Sequence, residues 1–79
     1  MPTPAPTTTL KGGDHGPQVR ALQRALASLG YPLGHIDGQY GPATQRALAH
    51  FQQTQKLAAD GVLGPATLAA LTQALNNRG

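Results

Sequence analysis

Asp37-Gly38-Gln39-Tyr40-Gly41-Pro42-Ala43-Thr44-Gln45-Arg46-Ala47-Leu48 is written almost twice in this 79-residue chain. Asp60-Gly61-Val62-Leu63-Gly64-Pro65-Ala66-Thr67-Leu68-Ala69-Ala70-Leu71 repeats it 23 positions later with eight of twelve residues identical. The shared pattern is Asp-Gly-x-x-Gly-Pro-Ala-Thr-x-x-Ala-Leu, and each fixed position has a local task. Asp bonds the backbone two residues on, the first Gly takes positive φ, and the second ends the turn. Pro opens a helix, because its φ is preset and the N–H it lacks would have no partner in the first turn. A tight loop therefore feeds a helix, twice.

A shorter version, Gly12-Gly13-Asp14-His15-Gly16-Pro17, stands near the start. From Pro17, apolar residues at Val19, Leu22, Leu26 and Leu29 mark one face of a first helix, which Gly30 ends. Leu33-Gly34-His35-Ile36 is an irregular connection expected to bring Ile36 to the core. The second helix is expected from Pro42 to about Lys56, with Ala47, Leu48 and Phe51 inward. The third is expected from Pro65, with Leu68, Leu71 and Leu75 inward and Leu57, Val62 and Leu63 also covered. No stretch alternates strongly enough for a strand. The fold class is all-α: a compact three-helix bundle with structured Asp-Gly-x-x-Gly loops and an internal pseudo-repeat. It is bounded as a Pro/Thr-rich mobile linker or tail at 1–9, a domain at 10–75 and a frayed tail at 76–79.

Composition narrows the function classes. Six Lys and Arg against three Asp give a net charge of +3, a mild bias towards anionic partners. There is no Glu, and Asp14, Asp37 and Asp60 each precede a Gly-Pro pair, so acid serves the loops. Without Cys there is neither a thiolate zinc site nor a cysteine nucleophile. The three Asp lie in separate loops, against the paired carboxylates of a glycosidase, and Ser28 sits mid-helix. No run reaches the ~20 apolar residues of a membrane span, and residues 1–6 lack the order of a secretory signal. The chain alone reads as no enzyme, with no cofactor and no metal.

Several spaced motifs resemble the peptidoglycan-binding domain family, the three-helix wall-targeting module of bacterial and phage murein hydrolases. They are Leu10-Lys11-Gly12-Gly13-Asp14 with Gly16-Pro17, Val19 and Leu22-Gln23; Leu29-Gly30-Tyr31; Asp37-Gly38-x-Tyr40-Gly41 with Thr44, Ala47-Leu48 and Phe51-Gln52; and Leu57-x-x-Asp60-Gly61-Val62-Leu63-Gly64 with Thr67. The resemblance covers residues 10 to about 72. Tyr40 stands where the family often has Phe, and Leu63 where another aliphatic is common. The resemblance implies a non-catalytic module that binds glycan or stem peptide and anchors a covalently linked catalytic domain, acting in the periplasm or cell wall or as part of a phage lysis protein. A monomer is expected, with no nucleic-acid or membrane partner. The alternatives are a basic nucleic-acid-binding or protein-docking three-helix domain, a small hydrolase in its own right, and a pro-domain without its cysteine switch.

The ligand-binding candidates are Asp37, Gln39, Tyr40 and Arg46. The first loop is polar and aromatic where its copy is aliphatic, and Tyr40 offers either a flat face to a pyranose ring or a plug for the core. Asp37 and Asp60 read as ligand contacts or as Asx-turns. Arg20, Arg24, Arg46, Lys11 and Lys56 form either a solvated face or a basic surface for carboxylates. His15, His35 and His50 show no metal-ligand spacing.

Overall fold

The computed structural model of the protein describes residues 5–78. Among them three helices form: α1 over Pro17–Ser28, α2 over Pro42–Thr54 and α3 over Pro65–Arg78. In α1 and α2 a proline fills the first turn and a glycine, Gly16 or Gly41, occupies the N-cap. Neither glycine has a side chain with which to cap, and proline has no N–H that would need a partner there.

The C-termini of α1 and α2 close in the same way. After α1, the Tyr31 N–H donates to the Leu26 carbonyl at 2.9 Å and the Gly30 N–H to that of Ala27 at 3.1 Å, with Gly30 at φ +94°. After α2, Leu57 donates to Gln52 at 2.8 Å and Lys56 to Gln53 at 3.1 Å. This is the Schellman pattern. Lys56 holds it at φ +60°, the left-handed region where a side chain is disfavoured. The second helix therefore ends two residues before Lys56. The third runs on through Asn76 and Asn77 to Arg78, residues the sequence reading placed in a frayed tail.

The core gathers Val19, Leu22 and Leu26 of α1, Leu48 and Phe51 of α2, and Leu71 and Leu75 of α3 around Leu10, Tyr40 and Leu63. The Tyr31 and Phe51 rings pack in a T-shaped arrangement, with centroids 5.7 Å apart. Two expected core residues lie outside: Ile36 and Val62 are each 39% exposed. In each Asp-Gly loop the side chains alternate, so that burying Gly61 and Leu63 turns Val62 outward. From the irregular connection it is Leu33, not Ile36, that packs against the core.

Short backbone bridges replace a sheet. Leu10 and Leu63 exchange both N–H···O bonds, at 3.0 and 2.9 Å. The Gly16 N–H donates to Gly38 and the Tyr40 N–H to Asp14, each at 2.9 Å. The chain ahead of α1 is thereby stitched to both Asp-Gly loops. Residues 5–9 also differ from a mobile linker: Pro6 is buried, Ala5 packs on the core, and the Thr7 N–H donates to Gln18 Oε1 at 2.7 Å. The remainder of the expected linker, 1–4, lies outside the described residues.

Candidate functional site

Each Asp-Gly loop is held by a glutamine from the helix before it. Gln23 of α1 is 1% exposed. Its Nε2 donates to Asp37 Oδ1 at 3.1 Å, to the Gln39 carbonyl at 3.0 Å and to Thr44 Oγ1 at 3.0 Å. Its Oε1 accepts the Gly38 N–H at 2.8 Å. Gln52 of α2, equally buried, repeats the set on the second loop. Nε2 donates to Asp60 Oδ1, the Val62 carbonyl and Thr67 Oγ1 at 2.9, 2.9 and 3.0 Å, and Oε1 accepts the Gly61 N–H at 2.9 Å. A buried amide that satisfies donor and acceptor groups of one loop at once fixes that loop's conformation.

The two aspartates close the Asx-turns expected of them. Asp37 Oδ1 accepts the Gln39 N–H and Asp60 Oδ1 accepts the Val62 N–H, both at 3.0 Å. These backbone bonds, followed by the glutamine amides, hold both carboxyls below the usual carboxylate range. Gly38 and Gly61 take φ +77° and +72°.

Tyr40 takes an architectural place. It is 3% exposed, and its hydroxyl donates to the Gly61 carbonyl, joining the first loop to the second. Burial pushes the phenol up to about 12. The ring faces the core, so in this structure it offers no flat surface to a sugar. Leu63, the matching position in the repeat, is buried in the same way.

The exposed side of the first loop forms a groove with α1. It has a volume of about 530 Å³ and is walled by His15, Pro17, Arg20, Arg24, Asp37 and Gln39. Asp37 and Gln39, two of the ligand-binding candidates, therefore line the same groove. Arg46 does not join them: it lies in a smaller depression of about 320 Å³ beside Gln45, Ala49 and Asp60. The reason is topological, because each loop folds back on the helix before it and not on the helix it feeds. Arg20 and Arg24, read from sequence only as part of a general basic face, are the cations that line the groove. Among the described residues no cluster of three His, Cys, Asp or Glu could hold a metal ion, and no helix is long and apolar enough to cross a membrane.

This architecture is shared with known proteins. Residues 15–71 match the putative peptidoglycan binding domain family, and the chain belongs to it. It is 49% identical over 69 residues to the zinc D-Ala-D-Ala carboxypeptidase of Streptomyces albus G, covering 82% of this chain and 26% of that protein. Among solved structures, the SleB N-terminal domain superimposes with a TM-score of 0.83 at 32% identity, covering 91% of this chain and 99% of that one. The Burkholderia AP3 phage endolysin matches with a TM-score of 0.78 at 46% identity, over 82% of this chain and 25% of the endolysin. The chain thus spans about a quarter of the carboxypeptidase and of the endolysin, as a module of the kind that cell-wall hydrolases carry.

Proposed function

We propose that this module binds peptidoglycan through the groove between α1 and the first Asp-Gly loop, catalyses nothing itself, and holds an attached catalytic domain on the insoluble wall. The observation that carries the reading is the groove in a chain of this family: a cleft lined by two arginines whose loop wall is fixed beforehand by Gln23. A wall that is already ordered loses little entropy when a ligand binds. Tethering would then raise the local concentration of the attached enzyme on its substrate, which places the action in the cell envelope.

The proposed site comprises Asp37 and Gln39 with Arg20, Arg24 and His15. Tyr40 and Arg46 are left out, the first for its burial and the second for its place in the neighbouring depression. Asp37 spends Oδ1 on the loop and on Gln23. No hydrogen bond among the described residues uses its Oδ2, which leaves that oxygen to accept from a ligand hydroxyl or amide.

Co-sedimentation with purified sacculi tests the function. The protein is expected in the pellet, soluble muropeptides are expected to release it, and the protein alone should leave sacculus turbidity unchanged. Retention in the supernatant at every protein concentration would contradict the reading.

A further inference from the structure

We propose that the groove of α1 and the first loop captures a free carboxylate of the peptidoglycan stem peptide on Arg20 and Arg24, and that the sugar chain alone does not suffice. This deepens the function proposed above and rests on it.

The repeat supplies an internal comparison. Both copies build a groove from the same parts: a helix, the Asp-Gly turn that folds back on it, and a buried glutamine beneath. The larger groove carries Arg20 and Arg24, one helical turn apart on the exposed side of α1, with His15 at the rim. The smaller carries Arg46 as its single cation, with Gln45 and Ala49 beside it. Since the second copy folds without a paired cation, the pair is not required by the scaffold.

Nor are the arginines occupied elsewhere. No hydrogen bond or ion pair among the described residues engages either guanidinium. Asp37 is the single acid lining the groove, and its Oδ1 is directed to the Gln39 N–H and the Gln23 amide. Two unengaged guanidinium groups one turn apart suit a planar anion, which they bind with paired N–H···O bonds. In intact peptidoglycan the free carboxylates belong to the stem peptides, because the lactyl carboxyl of each substituted muramic acid is tied up as an amide and the N-acetylated sugars are otherwise neutral. The anion this groove recognises is therefore a peptide carboxylate, and Gln39 together with Asp37 Oδ2 is left for neighbouring amides.

The test compares intact sacculi with chitin, a peptide-free glycan of N-acetylated glucosamine that carries no carboxylate. It uses wild type, the double variant Arg20→Gln/Arg24→Gln, and Arg46→Gln as a variant with one cation fewer outside the groove. Circular dichroism and thermal melts should match for all three, since the altered side chains are exposed. Wild type is expected to bind intact sacculi, to lose about tenfold or more in affinity on peptide-free glycan, and to weaken between about 0.05 and about 0.5 M salt. The double variant is expected to lose a similar factor on intact sacculi and most of the salt dependence, while Arg46→Gln binds like wild type. Equal binding of wild type to peptide-free glycan would overturn this inference alone, as would a folded double variant that binds like wild type or an equal loss in Arg46→Gln. Absence of binding to intact sacculi would overturn the peptidoglycan reading as well.

Discussion

Replacing Gln23 by leucine keeps most of the side-chain volume and removes every hydrogen bond that the glutamine makes to the first loop. The Gly38 N–H loses its acceptor at 2.8 Å, and Thr44 Oγ1 and the Gln39 carbonyl lose a donor at 3.0 Å each. Gly38 and Thr44 are buried, so their groups have no ready access to water. A stranded buried group costs about 1–3 kcal/mol, and two or three of them give a loss of about 3–5 kcal/mol. A domain of this length has about 4–12 kcal/mol in all, so the loss is a large share. In urea, at a slope of about 1 kcal/mol per molar, the midpoint should fall by about 3 M or more. Thermal melting should fall by well over about 10 °C. Gln23→Glu refines the test. Its carboxyl can still accept the Gly38 N–H but sets oxygen against Asp37 Oδ1, which raises the new group's folded-state affinity for a proton. Stability that depends on the protonated form is present at acid pH and lost as pH rises, so the deficit of Gln23→Glu should shrink on acidification while that of Gln23→Leu does not. A Gln23→Leu protein that unfolds within about 1 kcal/mol of wild type would refute the claim that this amide holds the loop.

Three further outcomes are expected. Tyr40→Phe should lose about 1–2 kcal/mol in denaturant titration by stranding the Gly61 carbonyl, yet bind sacculi like wild type; the tyrosinate absorbance that develops near pH 12 in wild type should be missing from it. Gly38→Ala should cost about 1–2 kcal/mol for its positive φ alone, whereas Gly61→Ala should cost more, because its new Cβ would lie 2.5 Å from Gln45 Cγ; adding Gln45→Ala should recover part of that excess in thermal melts. Because both loop carboxyls are held below their ordinary value of 3.8, the stability they contribute is present above that pH and lost as pH falls through the depressed values; melts taken from neutral pH downward should show an acid decline that Asp37→Asn/Asp60→Asn flattens.

Much of the scaffold is legible in the sequence because its signals are local. Pro17, Pro42 and Pro65 fix where the helices begin, Gly30 ends the first, and each Asp-Gly pair specifies its turn from within four residues. The glutamine clamps are not legible in the same way. Gln is common on exposed helix faces, and Gln23 finds its partners 14 to 21 positions away. One signal was available: Leu22-Gln23 and Phe51-Gln52 each precede an Asp-Gly loop, so an aromatic or aliphatic residue followed by Gln recurs with the repeat.

The candidate site was legible in part. Asp37 and Gln39 lie in the groove, since a loop's exposed residues stay together whatever the packing. Tyr40 could be read either way from its type, and its alignment with aliphatic Leu63 was the clue to its burial. Arg46 misled because closeness in sequence to the first loop is not closeness in space: the loop turns back towards α1, where Arg20 and Arg24 wait.

Amide chemical-shift mapping of the isotope-labelled protein during titration with soluble muropeptides tests the proposed groove most directly. The largest changes are expected at Arg20, Arg24, Gly38 and Gln39, with the amides around Arg46, Ala49 and Asp60 little affected. Changes centred on α3 or on the smaller depression, with those four residues unmoved, would contradict the assignment of the binding site.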